Sequence, residues 1–175
     1  MKIKVRVRRA RRHDIPSIVD CANTSVNAAD EVGFGTPLSE RLFNSVDRLT
    51  AAWTDPNRVG REEVIVAESE RRVVAYVTVE DRGEDLELVD IAVRGDSQGR
   101  GIGGQLVASV EREARDGAKK AVTLGTSRSA QGTPWRSYSW WLARGYVVTG
   151  EEENAWTRTI GPGVKEIRMR KLILR

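Results

Sequence analysis

Two groups of residues in this chain have types and spacings that could do chemistry. Gly99, Gly101, Gly103 and Gly104 stand between an apolar run, residues 86–93, and a stretch of helical periodicity that begins at Ile102. Glu87 and Asp90 are the only acids inside that apolar run. Glycines opening a helix point to anion binding, because the first turn carries unpartnered backbone N–H groups and a partial positive charge that a phosphate can approach closely. An acid in a buried strand points to proton transfer, because desolvation disfavours its charged form and makes it a better proton acceptor.

Three motifs could claim the glycines. Gly99 and Gly104 have the spacing of GxxxxGK[ST], but Gln105 and Leu106 stand where Lys and Ser/Thr must be, which excludes a Walker loop. The dinucleotide fingerprint GxGxxG is present as Gly99, Gly101 and Gly104. Its turn should leave the strand directly, however, with an acid about 20 residues later for the ribose. Here five residues, 94–98, intervene, and no acid occurs between Asp116 and Glu151. An NADP-type variant using Arg128 stays open. The third pattern is Gln98-Gly99-Arg100-Gly101-Ile102-Gly103, which spells (Q/R)xxGx(G/A) after a strand ending at Val93. The strand LELVDIAV precedes it, and a helix, the strand KAVTLGT and the segment WWLARGY follow. In this order and composition the chain resembles the GNAT superfamily of acyl-CoA-dependent N-acetyltransferases, most strongly over residues 87–146.

The resemblance implies an α/β fold, a mixed and mostly antiparallel central sheet flanked by helices, as one domain over residues 1–175. It implies acetyl-CoA as cosubstrate and no metal. The pyrophosphate would rest on the backbone of Gln98, Gly99, Arg100, Gly101, Ile102, Gly103 and Gly104, with the pantetheine arm along Ile91, Ala92 and Val93. Lys119, Lys120, Arg128 and Arg136 are available for the ribose phosphate. The acceptor would be a primary amine, of a protein N-terminus, a lysine or a small molecule, attacking directly in a ternary complex. At pH 7 an α-amine with pKa near 8 is roughly 10% neutral and a lysine-like amine about 0.04%, so the second gains more from a base. Glu87, eleven residues before Gln98, resembles the base of several GNAT members. The competing reading pairs it with an arginine near the strand's end, and Asp90 is in reserve. Trp141 occupies the family's usual tyrosine position and cannot protonate a thiolate, which leaves Tyr138, one turn earlier, as the candidate acid, and Tyr146 after it. Trp135, Trp140 and Trp141 read as core or pocket wall. The missing tyrosine also leaves room for an inactive CoA-binding domain.

The elements that must position these residues follow from periodicity. Residues 2–9 alternate basic and branched side chains as a strand, and Asp14 with Pro16 opens a helix carrying Ile15, Ile18, Val19 and Ala22 inward. Leu38, Leu42, Val46 and Leu49 stripe a second helix running to about Trp53, with Phe34, Phe43 and Trp53 projecting beyond it. Residues 63–68 and 72–79 pair as a hairpin. After the glycine-headed helix come a short strand at 121–124, a helix at 134–143 stopped by Gly145, a strand from Tyr146, and a closing hairpin of 156–160 with 164–174 across Gly161-Pro162-Gly163. Acceptor specificity would reside in residues 23–58 and in that tail hairpin.

With 39% apolar and 31% charged residues, the 175-residue chain can bury a core. No apolar run nears the roughly 18 residues of a membrane span, and no secretory leader is evident, which predicts a cytoplasmic protein without membrane partners. A single cysteine, Cys21, and a single histidine, His13, weigh against disulfides, thiolate clusters and histidine metal sites. Cys21 falls on an apolar helix face and reads as core. The net charge of +4 could indicate a nucleic-acid module, but the basic excess lies largely in terminal strands, where alternation suits a solvated, aggregation-resistant edge. A homodimer is compatible with all of this.

Overall fold

A computed structural model describes residues 2–25, 45–54, 63–128 and 131–173. Its elements in chain order are β1 (Arg6–Arg9), α1 (Ile15–Thr24), α2 (Val46–Thr54), β2 (Glu63–Ser69), β3 (Arg72–Asp81), β4 (Asp85–Val93), α3 (Ile102–Asp116), β5 (Ala121–Arg128), α4 (Arg136–Leu142), β6 (Val147–Glu152), α5 (Ala155–Ile160) and β7 (Lys165–Leu172). The seven strands form one sheet in the order β1-β2-β3-β4-β5-β7-β6, antiparallel throughout except for the parallel β4–β5 pair. This is the mixed, mostly antiparallel sheet flanked by helices that the resemblance implies.

Each face of the sheet buries its own apolar cluster, as a layered α/β domain requires. On one face Ile102, Leu106, Val107, Val110 and Ala114 of α3 pack on Val77, Leu86, Leu88, Val122, Leu124, Ile167 and Met169. On the other, Ile15, Ile18, Val19, Cys21 and Ala22 of α1, with Leu49 of α2, cover Val64, Val66, Val73, Tyr76 and Ala92. Burial pushes the Cys21 thiol up to about 12, as befits a core residue. Leu38, Leu42, Phe34 and Phe43 lie outside the described residues.

Three elements differ from the sequence reading. The first strand pairs only over Arg6–Arg9, because Lys2 to Val5 reach past the end of β2 and meet α3 instead: the Gln105 side chain donates to Ile3 O at 2.6 Å and accepts from Val5 N at 3.3 Å. β5 runs on past Leu124 to Arg128, since β7 pairs with all eight of its residues although β4 does not. The strand anticipated over 156–160 is a helix. Its periodicity is too short to discriminate, and Asn154 decides, its side chain accepting from Thr157 N at 2.9 Å while Thr157 Oγ1 accepts from Asn154 N. The closing hairpin is therefore β6 with β7.

Candidate active site

The site is built where β4 and β5 part. Their parallel ladder runs from Asp85↔Ala121 to Leu88↔Leu124 and stops, although β4 continues to Val93 and β5 to Arg128. A bulge accompanies the separation: Thr78 pairs with Asp90 and Val79 with Leu88, leaving Val89 as the extra, exposed residue. The bulge also resets the alternation. Leu86, Leu88, Ile91 and Val93 all face the α3 cluster, while Ala92 joins the α1 cluster. The stretch of β4 that includes Ile91, Ala92 and Val93 thus has no strand beside it on the β5 side, and an extended ligand chain can take up that backbone edge.

At the end of β4 the chain makes a 3-10 turn, Gly95–Ser97, then passes through the glycines into α3. Gln98 braces this loop rather than facing outward: its Nε2 donates to Val93 O at 3.0 Å and to Ser25 O at 2.9 Å. Gly99 and Gly101 sit at φ 73° and 77°, where side chains are strained, and a Cβ on Gly99 would meet open space. Gly103 is held close, since a Cβ there would lie 3.5 Å from Trp140 and 3.6 Å from Val93. Residues 98–104 therefore present a bare, left-handed turn and the N-terminal N–H groups of a 15-residue helix at the mouth of the parted strands. That arrangement fits a phosphate group followed by an extended arm, which is the shape of acetyl-CoA.

The carboxylates lie on the sheet face opposite α3. Glu87, 8% exposed, is held in a bidentate pair by Arg168, with bonds of 2.8 and 2.7 Å, and also accepts from Thr123, its partner across the β4–β5 ladder. Arg168 donates in addition to Glu166 at 3.0 Å, and these two carboxylates hold its pKa above the ordinary arginine value. The network can lie across β5 because residue 125 is glycine, where a Cβ would collide with the Glu166 carboxylate. Asp90, beside the bulge, accepts at 2.6 Å from the hydroxyl of Tyr76, which is fully buried. Glu87 lines a cavity of about 490 Å³ in which Glu84, Asp85, Glu152 and Glu166 also appear, against Arg82 and Arg168. Its excess of carboxylates suits a cationic visitor.

The candidate acids separate cleanly. Trp141 is buried against Trp140 and Tyr146 in the core. The Tyr146 hydroxyl donates to Glu111 at 3.2 Å, and burial together with that carboxylate raises its pKa. Tyr138 is half-buried on α4, which begins against the part of β5 that β4 no longer pairs: Trp135 N donates to Ser127 O, and Ser137 and Thr126 share a hydroxyl contact at 2.7 Å. Its hydroxyl has no hydrogen-bond partner among the described residues. Of the cations singled out for the ribose phosphate, Lys119 pairs with Asp81, Lys120 with Glu84 and Arg128 with Glu151. The first two also stand at the C-terminal end of α3, about 22 Å from the glycines at its start at 1.5 Å per residue.

Sequence reasoning missed Tyr76, Thr123, Arg168 and Gly125. The alternation Arg168-Met169-Arg170 in the tail strand was the available sign that two guanidiniums share one sheet face, but the register that brings them to Glu87 and Asp85 is non-local.

A strand, a glycine turn and a helix start beside parted parallel strands put an anion-accepting backbone next to a free strand edge. The sequence profile described as "Acetyltransferase (GNAT) domain" matches residues 60–148, just over half of the chain, and the protein belongs to this family. Its fold is shared by Ard1 from Thermoplasma volcanium, at 15% identity over 99% of this chain and 100% of the other, with a TM-score of 0.69. The PaiA N-acetyltransferase from Thermoplasma acidophilum, solved with coenzyme A, gives 13%, 97%, 99% and 0.71 in the same terms. The aminoglycoside 6'-N-acetyltransferase from Enterococcus faecium gives 17%, 97%, 98% and 0.70. No curated protein sequence matches the chain significantly. No helix among the described residues is long and apolar enough to cross a membrane.

Proposed function

We propose that the protein is a cytoplasmic N-acetyltransferase that passes the acetyl group of acetyl-CoA to a primary amine by direct attack in a ternary complex. The observation that carries this reading is the parting of β4 and β5 immediately beside a glycine turn and helix start, with carboxylates on the opposite face of the sheet. Acetyl-CoA, when bound, supplies an electrophilic thioester carbonyl and a thiolate leaving group. The backbone of residues 98–104 binds the pyrophosphate, and the free edge of Ile91, Ala92 and Val93 orients the arm and polarises the carbonyl through an N–H near Val93. The acidic cavity draws in the protonated acceptor. Glu87 then accepts its proton through water, and in this reading the Tyr138 hydroxyl protonates the departing sulfur.

One observation favours a second assignment of the base. Both oxygens of Glu87 already accept from Arg168, so the lone pairs that a transferred proton would need are occupied. Asp90 stands at the bulge itself, oriented by Tyr76.

Calorimetric titration with acetyl-CoA is the primary test, with NADPH as control. Binding on the order of micromolar is expected, abolished in Gly101→Glu, where a carboxylate would face the phosphates at a left-handed position beside Lys2. No heat with acetyl-CoA would overturn the reading, and a response to NADPH would install the dinucleotide alternative. In an amine panel, Glu87→Gln should lower kcat about a hundredfold or more if Glu87 is the base. A full rate in Glu87→Gln with the loss in Asp90→Asn transfers the role to Asp90.

A further inference from the structure

The short turn between β4 and the glycines, residues 94–98, is fastened to the C-terminal end of α1 by three different contacts. Arg94, its side chain 16% exposed, forms an ion pair with Asp20 of α1 as well as with Asp96 in the turn. Gly95 lies against the last residue of the helix: its N–H donates to Thr24 Oγ1 at 3.4 Å, and a Cβ at position 95 would come within 2.5 Å of Thr24 O. Gln98 completes the set. Its Nε2 carries two hydrogens, of which one goes to Val93 O, the last carbonyl of β4, at 3.0 Å and the other to Ser25 O at 2.9 Å.

Ser25 is the C-cap residue of α1 and is buried. A helix end leaves carbonyls without an intrahelical partner, and a buried one costs free energy unless a donor reaches it. Ser25 Oγ donates to Ala22 O at 2.8 Å, and the donor for Ser25 O comes from Gln98, 73 positions away. Gln98 thereby joins elements on opposite faces of the sheet. Its backbone begins the turn that leads into α3, whereas its side chain ends on α1, whose buried face packs on Tyr76 and Ala92. Tyr76 in turn holds Asp90.

We propose that Gln98 is a positioning residue through which occupancy of the glycine turn is linked to the C-terminal turn of α1. The inference rests on the acetyl-CoA reading and goes beyond it. Backbone held by a bound pyrophosphate opens less often, and the groups tied to the Gln98 side chain share that restraint. The carboxamide acts through Ser25 and Val93, because both of its hydrogens are already used there.

The test is hydrogen–deuterium exchange of the full chain with and without saturating acetyl-CoA, followed at the amides of residues 21–25, for wild type, Gln98→Met, Gln98→Arg and Gly95→Ala. Calorimetry gives the acetyl-CoA affinity of the same proteins, and circular dichroism checks their fold. In the wild type acetyl-CoA should slow exchange at 21–25 by about tenfold or more. Gln98→Met keeps the length of the side chain but has no N–H, so it should lose that slowing and bind acetyl-CoA about tenfold more weakly. Gln98→Arg keeps the donors and should keep the slowing. Gly95→Ala, which pushes on Thr24 O, should break the link through different atoms. Slowing that persists undiminished in Gln98→Met, even where urea unfolding shows lost stability, would make Gln98 a brace of the fold alone and overturn the proposal. Wild-type amides that ignore acetyl-CoA while calorimetry shows it bound overturn it as well and leave the acetyl-CoA reading standing. No binding of acetyl-CoA by wild type overturns that reading, and this inference with it.

Discussion

The two ends of α3 treat charge in opposite ways. At its C-terminal end Lys119 meets Asp81 and Lys120 meets Glu84, each at 2.5 Å, and on the far face of the sheet Arg168 clamps Glu87 and Glu166 while Arg170 reaches Asp85. At its N-terminal end Lys2, Arg100 and Arg144 surround bare backbone with no ion pair among the described residues. Opposite charges facing one another across strands neutralise locally and serve the fold. Like charges collected over helix-start N–H groups have no such neutralisation among the described residues, and that end of α3 favours an anion.

The largest effect that would sharpen this contrast is expected from Arg168→Ala. The substitution leaves Glu87 and Glu166, with side chains 10% and 14% exposed, without their shared cation, and should cost roughly 3 kcal/mol of stability in urea unfolding at pH 7. Adding Glu87→Gln should recover part of the loss, since it removes the buried charge and keeps an amide that can bond Thr123. Lys2→Met and Arg144→Gln should each stay within about 1 kcal/mol, because neither leaves an acid unpaired. A loss below about 1 kcal/mol for Arg168→Ala would place the Glu87 network among ordinary solvated pairs and erase the distinction.

This division explains what could be read from the chain and what could not. The helix start, the strand before it and the glycines at 99–104 form one continuous stretch, so local pattern was enough to locate them. α1 was equally legible, since Ile15, Ile18, Val19 and Ala22 keep a helical period and all are buried. By contrast, the partner of Glu87 is 81 residues away and the partner of Gln105 is 102 residues away, so both depend on register and on the path of an end strand. The helix at 155–160 was read as a strand because six residues hold less than two turns, and the capping side chain lay one residue outside the pattern. The same non-locality hid the cation cluster: Lys119, Lys120, Arg128 and Arg136 stand out by availability in the sequence, whereas Lys2 and Arg144 are brought beside Arg100 of the turn only by the fold.

A second test concerns pH. Asp14 is 4% exposed and accepts from Arg8 at 2.7 and 2.9 Å and from Arg11 N at 2.7 Å, and the Arg8 guanidinium above all holds its carboxyl below the usual aspartate range. A depressed folded pKa means that the unfolded chain takes up the proton first as pH falls. The stabilisation is therefore fully present above the unfolded value of about 3.9 and is lost as pH drops below it through the folded value. Asp14→Asn should cost about 2 kcal/mol at pH 7, and the gap from wild type should close below about pH 4 in acid-titrated urea melts. A gap that stays constant with pH would mean that the aspartate acts by shape and not by charge. Binding at the glycine turn carries no such carboxylate on the protein side, so acetyl-CoA affinity measured between pH 5 and 8 should follow the ligand's phosphate ionisation instead.

The smallest effect separates two uses of the left-handed backbone. The β2–β3 hairpin turns through Glu70 and Arg71 at φ 50° and 65°, values much like those of Gly99 and Gly101, yet with full side chains in place. Left-handed geometry alone therefore does not force glycine in this protein; a two-residue hairpin of this kind accepts it at a cost of about 1 kcal/mol per residue. Replacing Glu70-Arg71 by Asn-Gly should raise stability by about 1 kcal/mol and the melting temperature by roughly 2–4 °C, with acetyl-CoA affinity unchanged. Gly99→Ala should cost a similar amount of stability, since a Cβ there meets no neighbouring atom, but should also weaken acetyl-CoA binding, because the methyl occupies the space over the turn. Equal affinity in wild type and Gly99→Ala would mean that the glycine at 99 serves only the turn, like Glu70 and Arg71, and would confine close phosphate approach to Gly101 and the first residues of α3.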